Sequence, residues 1–373
     1  MIDMSNSERA SGAMITPSYW GGKRVLVTGH TGFKGAWVSL VLSGIGARVT
    51  GLSLAAEEPS LYAMARIAEA CSASHIADLR DLDGVKRIVR AADPQIVLHL
   101  AAQSLVRRAY RDPVATFGSN VMGTVHLLEA LREASSLESV LVTTTDKVYF
   151  NAETGAPFRE GDRLGGTEPY GTSKAAAEHV VAAYRASYFA PRGVPVVVAR
   201  AGNVIGGGDW SEDRILPDIA RAGLAGRTLD VRNPKAVRPW QHVLDAIEGY
   251  LLLAEASARG GPQGDDPEAH AWNFGPATAS DMITVEEICR IAERLWPGRF
   301  AWRHVPDPAG IKESGLLLLD PTRAMSTLGW RPRWDAPTAL AVTLDWYRAV
   351  AAGEDAEAAT AADIAAHGIG TAA

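Results

Sequence analysis

The chain has 373 residues, 47% of them hydrophobic and 21% charged, with 37 Lys and Arg against 43 Asp and Glu for a net charge of −6. That length buries a large core as one main domain plus a smaller lobe, and the charge is spread without a basic block, which argues against a nucleic-acid partner. Two cysteines far apart, Cys71 and Cys289, suggest small core residues and neither a disulfide framework nor a metal cluster; no apolar run reaches the roughly 20 residues of a membrane span, and no secretory signal opens the chain, so the cytoplasm is the expected compartment.

Residues 1–19 are polar and irregular and read as a flexible leader. Lys23 to Thr28 is a short apolar, β-branched run, the pattern of a buried parallel strand. Gly29-His30-Thr31-Gly32-Phe33-Lys34-Gly35 follows at once, and Ala36 to Leu42 continues with helical spacing. A strand, a glycine turn and a helix make a dinucleotide-binding loop: glycines relieve the turn of Cβ clashes, and the helix start offers free amides and a positive dipole end to a pyrophosphate. The second strand, Ala47 to Ser53, ends without the acid that would grip an adenosine ribose. Ser53 stands there, with Glu57 and Glu58 beyond it and Arg48 and Lys34 expected near the ribose, so NAD is favoured over NADP. Asp78 and Leu79 close another short strand and are expected at the adenine, whereas Asp81 is either a helix cap or a ligand contact. Ile96 to Ala102 is a buried strand whose end, at Leu100, Ala101 and Ala102, lets a dinucleotide approach the backbone; His99 within it reads as a core histidine.

A helix at about 121–134 and a strand at 139–145 come next, then Tyr170 opens a helix that carries Lys174. Residues four apart share a helix face, so phenol and ammonium are neighbours. An adjacent cation stabilises a phenolate, and Tyr170 is expected to act as a base with a lowered pKa. The strand from Val194 to Arg200 completes an alternation that predicts an α/β fold, a doubly wound parallel sheet of Rossmann type over residues 20–200. After Gly202 the segments are loop-rich in aromatic and arginine residues, as expected of a smaller α/β substrate-binding lobe over 201–350, part of it returning to the first domain. The stretch 260–268 reads as a mobile loop, helices are expected at about 284–296 and 337–350, and 351–373 as a frayed tail.

These residues together resemble the extended short-chain dehydrogenase/reductase superfamily and, within its NAD-dependent epimerase/dehydratase family, the CDP-glucose 4,6-dehydratases. The likeness covers roughly 19–350. It rests on the run from Trp20 to Gly35, on Ala101-Ala-Gln103, Asn120-Val-Met-Gly-Thr124, Thr144 to Tyr149, Tyr170-x-x-x-Lys174, Arg200 to Trp210, Arg238-Pro-Trp-Gln-His242 and Trp272 to Pro276. The resemblance implies oxidation of a nucleotide-linked hexose at C4, loss of water across C5 and C6, and return of hydride to C6 by the same bound NAD. It makes Tyr170 the base at C4 with Lys174 beside it, Thr145 a hydrogen-bonding partner of the C4 oxygen, Asp146 the acid and Lys147 the base of water loss. In the related dTDP-glucose dehydratases a Glu matches Lys147. Thr144 is left as packing or a cofactor contact.

The resemblance further places Gln103, Asn120 and Thr143 at the cofactor and Asn203, Arg214, Arg238 and Glu313 at the substrate. Arg107, Arg108 and Arg232 are secondary phosphate candidates, and Trp210, Trp240 and Trp272 either stack on the ligand or pack in the core. His30 and Lys34 add charge to the glycine turn that can alter cofactor affinity, while Phe150 and Asp307 to Gly310 depart from the family pattern. No metal is implied. A small-molecule nucleotide sugar, CDP-glucose, is the expected partner, in a homodimer or dimer of dimers serving deoxysugar biosynthesis such as lipopolysaccharide O-antigen; an epimerase or another sugar-nucleotide dehydratase is the alternative.

Overall fold

The computed structural model describes residues 13–261, 270–278, 282–306 and 314–370. Seven parallel strands form the central sheet: β1 (Arg24–Thr28), β2 (Arg48–Ser53), β3 (Ala73–Ile76), β4 (Ile96–His99), β5 (Ser139–Thr145), β6 (Val196–Ala201) and, after a long excursion, β10 (Ala271–Phe274). Their spatial order is β10-β6-β5-β4-β1-β2-β3, which reverses direction between β1 and β4. A crevice opens outside the carboxyl ends of the strands at such a reversal.

Helices cover both faces, so the strands are apolar along their length: β5 is buried at every residue and β1 at all but its first. One face packs on Trp20, Trp37, Trp272, Trp330 and Trp346; the other on Val85, Leu127, Leu131, Val181 and Phe189. Two of the buried indole N–H groups are answered by backbone, Trp37 by Gly207 O at 3.0 Å and Trp330 by Asp245 O at 3.0 Å, while that of Trp272 has no partner among the described residues. Two short parallel pairs stand apart from this sheet, β7 (Asn203–Ile205) with β9 (Trp240–His242) and β8 (Thr228–Val231) with β11 (Ala301–His304), all within the stretch expected to form a smaller lobe.

The expected helix at 121–134 is a π-turn, Gly118–Met122, running into the helix Gly123–Leu131. The expectations at 284–296 and 337–350 correspond to Val285–Leu295, closed by a Thr284/Glu287 capping box, and Ala336–Ala351. The described parts of the expected leader and tail differ from the expectation, residues 1–12 and 371–373 lying outside the described residues. From Ala13 onward the leader is docked: Ala13 N donates to Gly329 O at 2.9 Å, Ile15 is buried, and Pro17–Trp20 is a helical turn whose indole N–H reaches Glu255. The tail forms the helix Ala356–His367, capped by Asp355, with Ala356, Ala359, Thr360 and His367 buried. Alanine-rich composition suggested fraying, but helical stability in proteins comes mainly from packing. Here His367 Nε2 donates to the buried Asp245 carboxylate at 3.0 Å, and its ring packs edge-on to Trp334.

Candidate active site

Five consecutive parallel strands, β6 to β2, aim their carboxyl ends at one cavity of about 1580 Å³. Its floor is the glycine turn. Gly29 has φ +80, and a Cβ there would stand 2.7 Å from Ala101 N; one on Gly35 would stand 2.0 Å from Gly29 O. Both positions therefore exclude every side chain, and the helix Phe33–Gly44 begins with no side chain capping its amides. Uncapped amides facing a cavity suit an anion.

Gly29, Thr31, Gly32, Phe33, Lys34, Gly35, Ser53, Asp78, Leu79, Leu100, Ala101, Ala102, Gln103 and Thr143 all line the cavity, as do Thr145, Asp146, Lys147, Tyr170, Lys174, Asn203, Arg214 and Arg238. Three predicted residues stand apart. His30 turns into the sheet: its Nε2 meets Ser74 Oγ at 2.7 Å, its ring fills the space above Gly51, where a Cβ would come within 2.2 Å, and burial lowers its pKa to about 4. It adds no charge to the turn. Asn120 is fully buried and exchanges hydrogen bonds with the Gln103 backbone, N to Oδ1 at 2.8 Å and Nδ2 to O at 3.0 Å, so it shapes the loop behind the cavity wall. Glu313 lies outside the described residues, as do 307–310 and most of the 260–268 stretch.

The end expected to hold adenosine differs from expectation at two cations. Arg48 is exposed at the opposite end of β2, some five residues and roughly 16 Å of strand from Ser53. Lys34 lies at the other end of the cavity, among Arg214, Asp146 and Asp209, where burial and Arg214 pull its pKa down to about 8. Ser53 Oγ pairs with Thr31 Oγ1 at 2.7 Å, and the carboxylate of Asp78 is held by Arg80. Asp81 is a helix cap, accepting from Gly84 N at 3.1 Å, and His99 is a core residue bound to Thr28 at 2.6 Å and Thr124 at 3.0 Å. Arg108 bridges Glu57 and Glu212 at the rim, and Arg232 pairs with Asp213.

The end of the cavity expected to be catalytic is built on β5 and the helix Pro169–Tyr184. Thr145 ends the strand, its hydroxyl donating to Asp146 Oδ1 at 2.9 Å and accepting from Lys147 N at 3.3 Å, which fixes a tight turn and turns both side chains into the cavity. Asp146 is 2% exposed and its Oδ2 has no hydrogen-bond partner. Burial raises its pKa against the opposing pull of Lys147, Thr145 and Arg238, so a proton is retained more readily than on an exposed carboxyl. Lys174 Nζ donates to Thr143 O at 2.8 Å, and its pKa falls to about 8 through burial and the charge of Lys34.

Tyr170 corrects the expectation of a lowered pKa. Burial pushes its phenol up to about 12, against the lowering influence of Thr145 and Arg214. Desolvation outweighs the cation that acts on it, Arg214, and Lys174 is directed instead at the Thr143 carbonyl.

Two residues escaped the sequence reading. Glu178 extends the four-residue spacing of Tyr170 and Lys174 by one more turn; it accepts from Thr144 Oγ1 at 2.6 Å and pairs with the buried Arg200. Thr144 is thus tied into packing. Asp209, within the quoted Gly206 to Trp210 run, holds Arg214 at 2.9 Å while Ser104 takes the other guanidinium nitrogen at 2.9 Å. The side chain of Arg238 is buried beside them, donating to Val237 O at 2.9 Å. Trp210 and Trp240 line the cavity, and Trp272 is a core residue against Arg323. Among the described residues no cluster of His, Cys, Asp or Glu has the arrangement of a metal site, and no helix is long and apolar enough to cross a membrane.

Residues 26–342 match the family model for GDP-mannose 4,6 dehydratase. A CDP-glucose 4,6-dehydratase of Salmonella typhimurium is 42% identical over 348 residues, 92% of this chain and 95% of the relative. A dTDP-glucose 4,6-dehydratase of Xanthomonas campestris is 29% identical, covering 86% and 92% of the two chains. Among solved structures, a UDP-glucose 4-epimerase of Thermus thermophilus in complex with NAD is 28% identical with a TM-score of 0.73, over 87% of this chain and 98% of that one.

Proposed function

The chain belongs to the GDP-mannose 4,6-dehydratase family, and on that footing we propose that it is an NAD-dependent lyase that removes water from CDP-D-glucose to give CDP-4-dehydro-6-deoxy-D-glucose. The observation that carries this reading is the pairing of Asp146 and Lys147, at the tip of β5, with Tyr170 and Lys174 in one cavity. Cytidine as the base follows the 42% identical relative.

The cavity fits a dinucleotide. Its glycine turn is closed to any Cβ, the amides of the following helix are uncapped, and the small residues Ala101 and Ala102 form the wall beside it. Gly32 to Lys34 would hold the pyrophosphate, Ser53, Asp78 and Leu79 the adenosine, and Thr143, Tyr170 and Lys174 the nicotinamide ribose. When bound, the dinucleotide would supply an acceptor and donor of hydride, and the positive charge of its oxidised form would favour ionisation of Tyr170.

Tyr170 takes the proton of the C4 hydroxyl, and Thr145 orients the C4 oxygen by a hydrogen bond. The resulting ketone acidifies the C5 hydrogen. Lys147 removes that proton, and Asp146, whose carboxyl burial shifts toward its protonated form, donates to the departing C6 hydroxyl. The bond to C6 breaks as the C5–C6 double bond forms, and Lys147 returns the proton to C5 as C6 is reduced. A 4-epimerase needs no acid and base at C5 and C6, so the pair favours dehydration. Asn203, Arg214 and Arg238, which line the same cavity, would by resemblance hold the sugar and its diphosphate, since a guanidinium fork matches two phosphate oxygens.

The assembly belongs to the same proposal. Tyr110, Val114, Phe117, Met122 and Tyr188 are large apolar residues left exposed on and beside the helical segments at 106–131 and 169–189, which supports a homodimer or dimer of dimers and is checked by light scattering. A cytoplasmic enzyme of deoxysugar biosynthesis supplying O-antigen completes the picture. The test is a panel of four glucose nucleotides, CDP, dTDP, GDP and UDP, assayed for ketosugar formation in deuterated water. CDP-glucose alone should turn over rapidly, with solvent deuterium at C5 and the original C4 hydrogen at C6; turnover of another nucleotide in its place overturns the substrate assignment.

A further inference from the structure

Arg214, assigned above to the substrate diphosphate, has its guanidinium fixed at two nitrogens, one by Asp209 at 2.9 Å and one by Ser104 at 2.9 Å. Asp209 is buried and belongs to the stretch Gly206 to Ser211, which follows β7 without helix or strand of its own. Three consecutive glycines open that stretch. Such a backbone keeps one conformation only when groups outside it answer its carbonyls and fill the space around it.

Side chains from three helices do both. Trp37 Nε1, on the helix Phe33–Gly44, donates to Gly207 O at 3.0 Å. Tyr347 Oη, on Ala336–Ala351, donates to Asp209 O. Arg221, on Ile215–Leu224, donates to Trp210 O at 3.0 Å and to Ser211 O at 3.1 Å. The space is closed as well: a Cβ on Gly207 would stand 2.1 Å from the Trp346 ring, and one on Gly208 2.8 Å from Leu61. Of these groups Tyr347 is nearest to the chemistry of binding. It is 1% exposed, its hydroxyl holds the backbone of the residue that orients Arg214, and its ring lies edge-on at 5.0 Å to Trp210, the next residue and part of the cavity wall. A hydroxyl is costly at such depth unless it is bonded, so packing alone would be served as well by phenylalanine.

We propose that Tyr347 is a positioning residue for substrate binding: through the Asp209 backbone it fixes the plane of the Arg214 guanidinium, with Arg221 holding the next two carbonyls of the same loop. This rests on the sugar-nucleotide reading above. A guanidinium makes both of its bonds to a phosphate only when its plane is set beforehand. A loop free to shift therefore weakens the grip on the diphosphate, while Thr145, Asp146, Lys147 and Tyr170, which stand on β5 and the helix Pro169–Tyr184, stay where they are.

The experiment is steady-state kinetics of the NAD-loaded protein with CDP-glucose, comparing wild type, Tyr347→Phe, Arg214→Met and the double variant. Tyr347→Phe should raise KM roughly tenfold, the worth of one buried hydrogen bond, and keep kcat within about threefold. In the Arg214→Met background the same substitution should change kcat/KM by less than about twofold, because the residue it acts through is gone. A residue that merely holds the fold together would give an equal loss in both backgrounds. That outcome overturns the inference, as does an unchanged KM in Tyr347→Phe or a loss confined to kcat. If Tyr347→Phe fails to fold, Arg221→Met, which frees the next two carbonyls, is read by the same two criteria. Failure of the wild type to turn over any of the four glucose nucleotides overturns the functional reading instead, and if another of the four replaces CDP-glucose, the series is run and judged with that one.

Discussion

Glu178→Gln removes one charge from a buried ion pair and keeps its shape. Arg200 and Glu178 are 4% and 6% exposed. The guanidinium gives Nε to both carboxylate oxygens at 3.0 and 3.2 Å and Nη2 to Oε2 at 2.5 Å, and its remaining nitrogen holds Tyr149 Oη and Glu160 O, each at 2.8 Å. Breaking such a pair leaves an uncompensated buried cation and costs about 3–5 kcal/mol. An amide oxygen still accepts one bond, which places the loss near about 3 kcal/mol. With an unfolding entropy of roughly 2 cal/mol/K per residue, this chain should melt about 4 °C lower.

Urea titration and calorimetry read the loss directly. The double variant Glu178→Leu with Arg200→Met should recover most of it, because a buried pair replaced by apolar groups of similar volume is close to neutral. The same carboxylate supports the charge of Lys174, so the alkaline limb of the activity profile should move to lower pH in Glu178→Gln. A stability loss below about 1 kcal/mol, or a double variant worse than the sum of the singles, would refute the argument that this pair is held as charges.

Lys147→Met and Asp146→Asn should each lower ketosugar formation by about 10²- to 10⁴-fold while NAD still binds; a dehydration rate near wild type in either one removes that residue from its role. His367→Ala deprives the buried Asp245 of its ring partner and should cost about 1–3 kcal/mol in urea titration, whereas an undocked tail would give no change. Burial, with Asp345 and Glu354, raises the Asp363 carboxyl to about 7, so the folded state prefers it protonated. The penalty is absent below about pH 4, grows between 4 and 7 and is complete above 7. Asp363→Asn should therefore stabilise the chain at pH 8, on the order of 1 kcal/mol after solvent screening, and leave its melting at pH 4 unchanged.

What the sequence determined by itself is short-range. Arg24–Gly44 is a strand, a turn and a helix because β-branched alternation, glycine freedom and helical spacing are each settled within a few residues. Tyr170 and Lys174 share a face because they are one turn apart on a helix. Glu178 obeys the same spacing and was legible to anyone who counted one turn further. The position of Asp146 at the end of β5 follows from the run of Ser139–Thr145 and the rule that such sheets display chemistry at their carboxyl ends.

Only the tertiary structure decided where charge survives. His30 stands between two glycines of the turn, yet β2 and β3 enclose it over Gly51 and keep it neutral. Lys34, four residues on, is carried to the catalytic end because the first turn of its helix faces the loop that brings Asp209 and Arg214 from nearly two hundred residues away. The tail folds because Asp245 and Trp334 meet it there. The Tyr170 phenol is pushed above its ordinary range because the groups packed around it withhold water from it. Desolvation is set by what packs against a group, and packing partners are distant in the chain.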